Sequence, residues 1–166
     1  VAVVDSAAVV GAPVAAALEE VGDMPRATTR RRDIDRTAVR EAVAAAERRT
    51  SAEIVVSISS FFFGSVSGAA ERAFDQLGVA RTRRRNGVLV FVVPSRHQVV
   101  VLPDDEAAAR VDPAVYERAA TMIAGACGRG EGTLGIMEAV ALLANVLEGV
   151  FPFTHDDVNE LPDLIA

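Results

Sequence analysis

Apolar positions along the chain change period several times, and each change marks an element. Between residues 35 and 49, Val39, Val43 and Ala46 recur at helical spacing behind Asp35 or Thr37 as a cap, which predicts a helix. Residues 53–58 form a β-branched run with little alternation, as in a strand covered on both faces. After a loop over 59–67, Ala70, Phe74 and Leu77 predict a second helix. Residues 87–93 are a continuous apolar strand, Pro94, Ser95 and Arg96 a tight turn, and 98–102 the returning strand of a hairpin. Helices follow over 113–126 and 133–150, the second with Leu134, Met137, Val140, Leu143, Val146 and Leu147 assigned to one broad face.

Alternation of this kind predicts an α/β fold with helices layered on a small mixed sheet that contains one β-hairpin. A chain of 166 residues, 51% apolar, is about one domain long and can bury a core without staples. Residues 1–32 read as an N-terminal extension, a loose helix at most, and 33–166 as the domain with an acidic tail.

Strand direction locates the chemistry. A helical connection between strands 53–58 and 87–93 makes them parallel, and the hairpin makes 98–102 antiparallel to its neighbour. The starts of the first two strands and the end of the third then share one end of the sheet. Glu53, Asn86, Asp104 and Asp105 converge there, with Asp112 beside them if the next loop folds back. Carboxylates, an amide oxygen and backbone carbonyls are the donors that calcium and magnesium take. The same carboxylates suit acid, base or ligand roles in phosphoester hydrolysis. Such residues also cap turns, and spacing alone does not separate these roles.

Charge changes the picture in two places. The last 66 residues hold 12 acids and 3 arginines, which argues against a nucleic-acid partner and suits a cation or a solvated face. Arg81, Arg83, Arg84 and Arg85 form a basic run before the second strand, read as a solvated helix end favoured by the helix dipole. The single cysteine, Cys127, lies in an apolar helical stretch and reads as a buried thiol. Residues 2–18 are apolar but carry Asp5 and lack a basic start, a poor signal peptide. No run of the sequence reads as a transmembrane segment, so the expected setting is cytoplasmic.

The ordered set of Arg49-Thr50-Ser51-Ala52-Glu53-Ile54-Val55-Val56, Arg85-Asn86-Gly87-Val88-Leu89-Val90 and Pro103-Asp104-Asp105-Glu106 resembles the TPM domain. That family includes thylakoid-lumen proteins linked to photosystem II repair and bacterial relatives of unsettled function. The tail from Phe151 to Pro162 is similar to a subset of single-domain bacterial members. The resemblance implies a three-layer α/β/α sandwich, with Ca2+ or Mg2+ near the strand ends. Carried over by position, the candidate metal ligands are Glu53, Asn86, Asp104, Asp105 and Asp112. It also brings the acid phosphatase activity proposed for plant relatives. Two departures stand out: Pro103 and Ala107 flank the acidic turn where the family tends to glycine, and Phe61, Phe62 and Phe63 occupy a loop that is often polar.

Three adjacent Phe cannot all point inward, which makes Phe61, Phe62 and Phe63 either a loop cap or a surface for a protein partner. His155, Asp156, Asp157, Asn159, Glu160 and Asp163 in the tail match neither an EF-hand nor a zinc site. Leu161 and Pro162 make the tail an extended segment that docks on the body. The function expected from all this is a cation-binding TPM protein acting through protein contacts, with a metal-assisted phosphoester hydrolase as the alternative.

Overall fold

The computed structural model describes residues 34–60 and 64–153. The three phenylalanines at 61–63, the extension at 1–32 and the tail beyond 153 lie outside the described residues. In chain order the elements are α1 (Arg36–Glu47), β1 (Ile54–Ile58), α2 (Val66–Gln76), β2 (Val88–Val93), β3 (Gln98–Pro103), α3 (Asp105–Arg110), α4 (Pro113–Gly128) and α5 (Gly132–Val150). Short 3-10 turns at Val79–Arg81 and Pro94–Arg96 precede and follow β2.

The sheet runs β1-β2-β3, with β1 parallel to β2 in the register Ile54 opposite Val88. β3 returns antiparallel, with Val88 opposite Pro103 and Val93 opposite Gln98. Side chains alternate across each strand, so the sheet divides the core in two. Ile54, Val56 and Ile58 of β1 and Val88, Val90 and Val92 of β2 pack with α1, α4 and α5. Val55, Leu89, Phe91 and Val93 pack with Ala69 and Ala70 of α2 and with Val79. This is the three-layer α/β/α sandwich, and the strand directions are those the alternation implies.

Local chemistry sets the helix ends. Asp35 caps α1, its carboxylate accepting from the amides of Thr37 at 3.0 Å and Ala38 at 3.1 Å. Asp112 caps α4 through the Ala114 amide at 2.9 Å, ahead of Pro113 at the first helical position. α3 is an element the sequence reading left as an acidic turn. Asp104 is its cap, Asp105 and Glu106 stand in its first turn and Arg110 in its last. Each of those charges has the sign that the helix dipole favours. Tyr116 of α4 donates to the Ala107 carbonyl at 2.9 Å and ties the two helices together.

α5 is the core helix, burying Ile136, Ala139, Val140, Leu143, Ala144 and Leu147. Leu134, assigned from sequence to the same face, is 52% exposed. Nine residues separate it from Leu143, about two and a half helical turns, which puts it on the opposite side. Among the described residues α5 is also long and apolar enough to span a membrane by length and composition, with mean hydropathy 1.5. The expectation that no run approaches that test therefore needs this correction. Its apolar surface packs on α1 and α4 here.

α4 and α5 approach so closely at Gly135 that a Cβ there would lie 2.3 Å from the Ala126 Cβ. Gly135→Ala is expected to lower unfolding stability by about 1–3 kcal/mol despite the better helix propensity of alanine. Urea denaturation measures this, and an unchanged midpoint would show that the two helices separate without cost.

Candidate functional site

The polar end of the sheet is laced by the backbone before any side chain contributes. The Val88 amide donates to the Glu53 carbonyl at 2.8 Å, and the Asp104 amide to the Gly87 carbonyl at 2.8 Å. The residue before β1, the residues before β2 and the residue after β3 are thereby locked side by side. Gly87 is required there because a Cβ would come within 2.7 Å of Val79 Cγ1 and 3.1 Å of the Val79 carbonyl oxygen. A fourth segment joins them: the Ser51 amide and the Thr50 hydroxyl both donate to the Phe151 carbonyl, at 2.9 and 2.7 Å.

Three of the five sequence candidates are buried at this end. Asn86 is 1% exposed, Asp104 3% and Glu53 8%. Asn86 donates through Nδ2 to the Ser51 carbonyl at 2.9 Å, which turns its carbonyl oxygen away from that bond. Asn86 Oδ1 and Asp104 Oδ2 are buried and accept no hydrogen bond, and Glu53 Oε2 is buried as well. Buried oxygens without a donor are rare in native folds because each forfeits its hydration.

The other two candidates have different employment. Asp105 is 71% exposed at its side chain and pairs with Arg85 at 2.7 Å. Asp112 is exposed and caps α4. Among the described residues no three His, Cys, Asp or Glu side chains are grouped so that they alone could hold a metal ion. Glu53 and Asp104 supply carboxylates, and Asn86 the amide oxygen.

Arg85 is the residue that sequence reasoning assigned to a solvated helix end. Its backbone sits in the left-handed region at φ 54, held by the Arg85 amide donating to the Thr82 carbonyl at 3.2 Å and by the Glu106 amide donating to the Arg85 carbonyl at 2.9 Å. Its guanidinium reaches Asp104 Oδ1 at 2.9 Å as well as Asp105. A signal was present in the sequence: a strand-end Arg immediately before Asn-Gly, with acids waiting at the far end of the hairpin. Burial pushes the Asp104 carboxyl above the ordinary aspartate range, and the Asp105 amide and Arg85 pull it back only in part.

Beside this end lies a cleft of about 540 Å3 lined by Arg83, Arg84, Arg85, Glu106, Arg110 and Phe151, among others. The Arg110 guanidinium stands 5.0 Å from the centre of the Phe151 ring. Cys127 is elsewhere and buried, with its thiol pushed up by desolvation.

A three-layer sandwich whose buried polar groups gather where the strand ends meet defines a class of small α/β domain. The chain belongs to the TPM-domain family, whose model matches residues 32–146. Its fold is similar to that of the BA42 protein from the psychrophilic bacterium Bizionia argentinensis, solved by NMR. The two are 26% identical with a TM-score of 0.73, over 79% of this chain and 90% of that one. No curated protein matches the chain.

The raised Asp104 pKa has a defined sign in stability. A carboxyl whose folded pKa exceeds its unfolded value contributes most below the unfolded value, and that contribution is lost as pH rises through the folded one. Asp104→Asn keeps a capping side chain and leaves Arg85 its partner Asp105. It is therefore expected to stabilise the cation-free protein near pH 7 and flatten the stability profile between acid and neutral pH. Urea melts across that range check this; a variant weaker than wild type at pH 7 would mean the Arg85 pair outweighs burial.

Proposed function

We propose that this TPM domain binds a divalent cation, calcium or magnesium, at the strand ends and acts through contacts with other proteins, not through catalysis. The observation that carries the reading is the pair of buried oxygens, Asn86 Oδ1 and Asp104 Oδ2, which accept no hydrogen bond. They come from the residues flanking two adjacent strands that the backbone holds together. Oxygen donors of this kind suit a hard cation. Asn86, Asp104 and Glu53 would hold it, and water would supply the remaining positions. The ion would neutralise a carboxylate whose burial now disfavours its charged form.

Binding fits better than hydrolysis because of where the other carboxylates stand. Asp105 is committed to Arg85 and Asp112 to the start of α4, which leaves neither to activate a water. Arg85 also keeps a positive charge beside Asp104, so the affinity is weak.

Titration of calcium and of magnesium, followed by amide NMR shifts, tests the reading. Shifts are expected at residues 53, 86 and 104, with affinity lowered about tenfold or more by either Asn86→Ala or Asp104→Asn. Arg85→Gln removes the neighbouring charge and is expected to tighten binding. Saturation at 100 times Kd would stabilise the fold by about 2.7 kcal/mol. Silence at millimolar cation, or shifts that survive both substitutions, would overturn the proposal.

A further inference from the structure

We infer that a second copy of this chain docks on the free edge of β3, strand to strand and antiparallel, so that two small sheets become one continuous sheet. β3 ends the strand order β1-β2-β3. The direction of its backbone groups follows from the bonds around β2. The Val88 amide donates to the Glu53 carbonyl and the Ser59 amide to the Val92 carbonyl, so the even-numbered residues of β2 turn to β1 and the odd-numbered ones to β3. Those odd residues stand opposite Gln98, Val100 and Leu102. Val99, Val101 and Pro103 therefore turn their backbone groups outward. Among the described residues nothing bonds to the Val99 or Val101 backbone along that edge.

The opposite edge of the sheet is guarded. The Ile54 amide donates to Glu47 Oε1 at 3.3 Å, and Arg36 donates to the Ile58 carbonyl at 3.4 Å, both side chains coming from α1. Charged groups placed along an edge strand keep other strands from pairing with it. β3 has no such device. Gln98–Pro103 carries no charge, and its unbroken register with β2 leaves no bulge. Its six residues are half-buried, whereas every residue of β1 and β2 is buried. Val99 and Val101 pack on the core shared by α1, α4 and α5, and Val100 and Leu102 on the core under α2. A strand laid alongside would finish covering both rows.

The edge fits a copy of itself in one register. With a twofold axis at Val100, Val99 of each copy stands opposite Val101 of the other. The bonds they exchange satisfy every outward amide and carbonyl of both residues. An axis at Val101 would set the Val99 carbonyl against Pro103, which has no amide hydrogen. An axis at Val99 would set the Val101 carbonyl against the His97 amide, which already donates to the Pro94 carbonyl at 3.2 Å. Antiparallel pairing also lays the Arg96 end of one strand beside the Asp105 end of the other. Both charges already have partners, so they favour the direction without carrying the affinity. Val99, Val100 and Val101 are none of the candidate cation ligands, and the inference stands whether or not a cation binds.

The test is analytical ultracentrifugation of the full chain, without divalent cation, up to millimolar protein. A monomer–dimer equilibrium is expected. Val100→Lys places like charges face to face at the axis and is expected to weaken the dimer about tenfold or more, and an equal mixture with Val100→Glu to restore it. Val100→Cys is the milder change that stands if the charged variants fail to fold. Residues facing each other at such an axis are about 4.5 Å apart at Cα, within reach of a disulfide. Mild oxidation is therefore expected to link two Val100→Cys chains and not two Leu102→Cys chains, whose new thiols face residue 98 of the other copy. Amide exchange adds a direct readout: Val99 and Val101 gain protection as protein concentration rises, while Val100 and Leu102 are protected throughout by β2. A monomer at millimolar protein, or a dimer that Val100→Cys fails to link, would overturn the proposal. So would protection of Val99 and Val101 that is independent of concentration, which would put another segment of this chain on the edge.

Discussion

Everything in this fold depends on the complete burial of β2. It has neighbours on both edges, α1, α4 and α5 on one face, and α2 on the other. Its six residues, Val88–Val93, are all buried. A strand in that position admits no polar side chain along its length, because a buried polar group without a partner costs more than the strand can return. Polar groups are therefore forced to its ends, and the residues just before β2 carry them: Arg85 and Asn86, then Gly87. The site lies where the apolar run stops.

Arg85 links the two halves of that end. Its guanidinium sits between a buried carboxylate and the cleft, and its left-handed backbone is held by the first turn of α3. A half-exposed ion pair of this kind is worth little as stabilisation. Its effect is positional: one side chain joins the buried Asp104 carboxylate to the wall of the cleft.

Much of the architecture was legible because β2 and β1 are so apolar that only a doubly covered strand fits them. Parallel and antiparallel pairings then followed from connection lengths. α3 was harder to read, because Asp104-Asp105-Glu106 carries both the residue types of a metal loop and those of a capped helix start. Its fully buried Ala107 and its terminal Arg110 decide for the helix. Leu134 was placed on the wrong side because α5 is apolar enough that phase is weakly marked near its start. The site divided along the same line. Asn86, Asp104 and Glu53 are at the strand ends, where direction alone puts them, whereas Asp105 and Asp112 are drawn off by helix dipoles and a neighbouring arginine. The cleft was not legible, since Arg110 and Phe151 meet only when distant segments fold together.

The hydrogen bond from the Thr50 hydroxyl to the Phe151 carbonyl joins residues 101 apart in the chain. Closing so long a loop is entropically expensive and rewards the chain only after the intervening sheet and helices exist. The contact between Thr50 and Phe151 therefore depends on the whole fold, whereas the bond from the Asp104 amide to the Gly87 carbonyl depends only on the hairpin. Fraying at the last turn of α5 would withdraw Phe151 from the cleft and at the same time from the core shared by α1, α4 and α5, so cleft and core close together at that helix end.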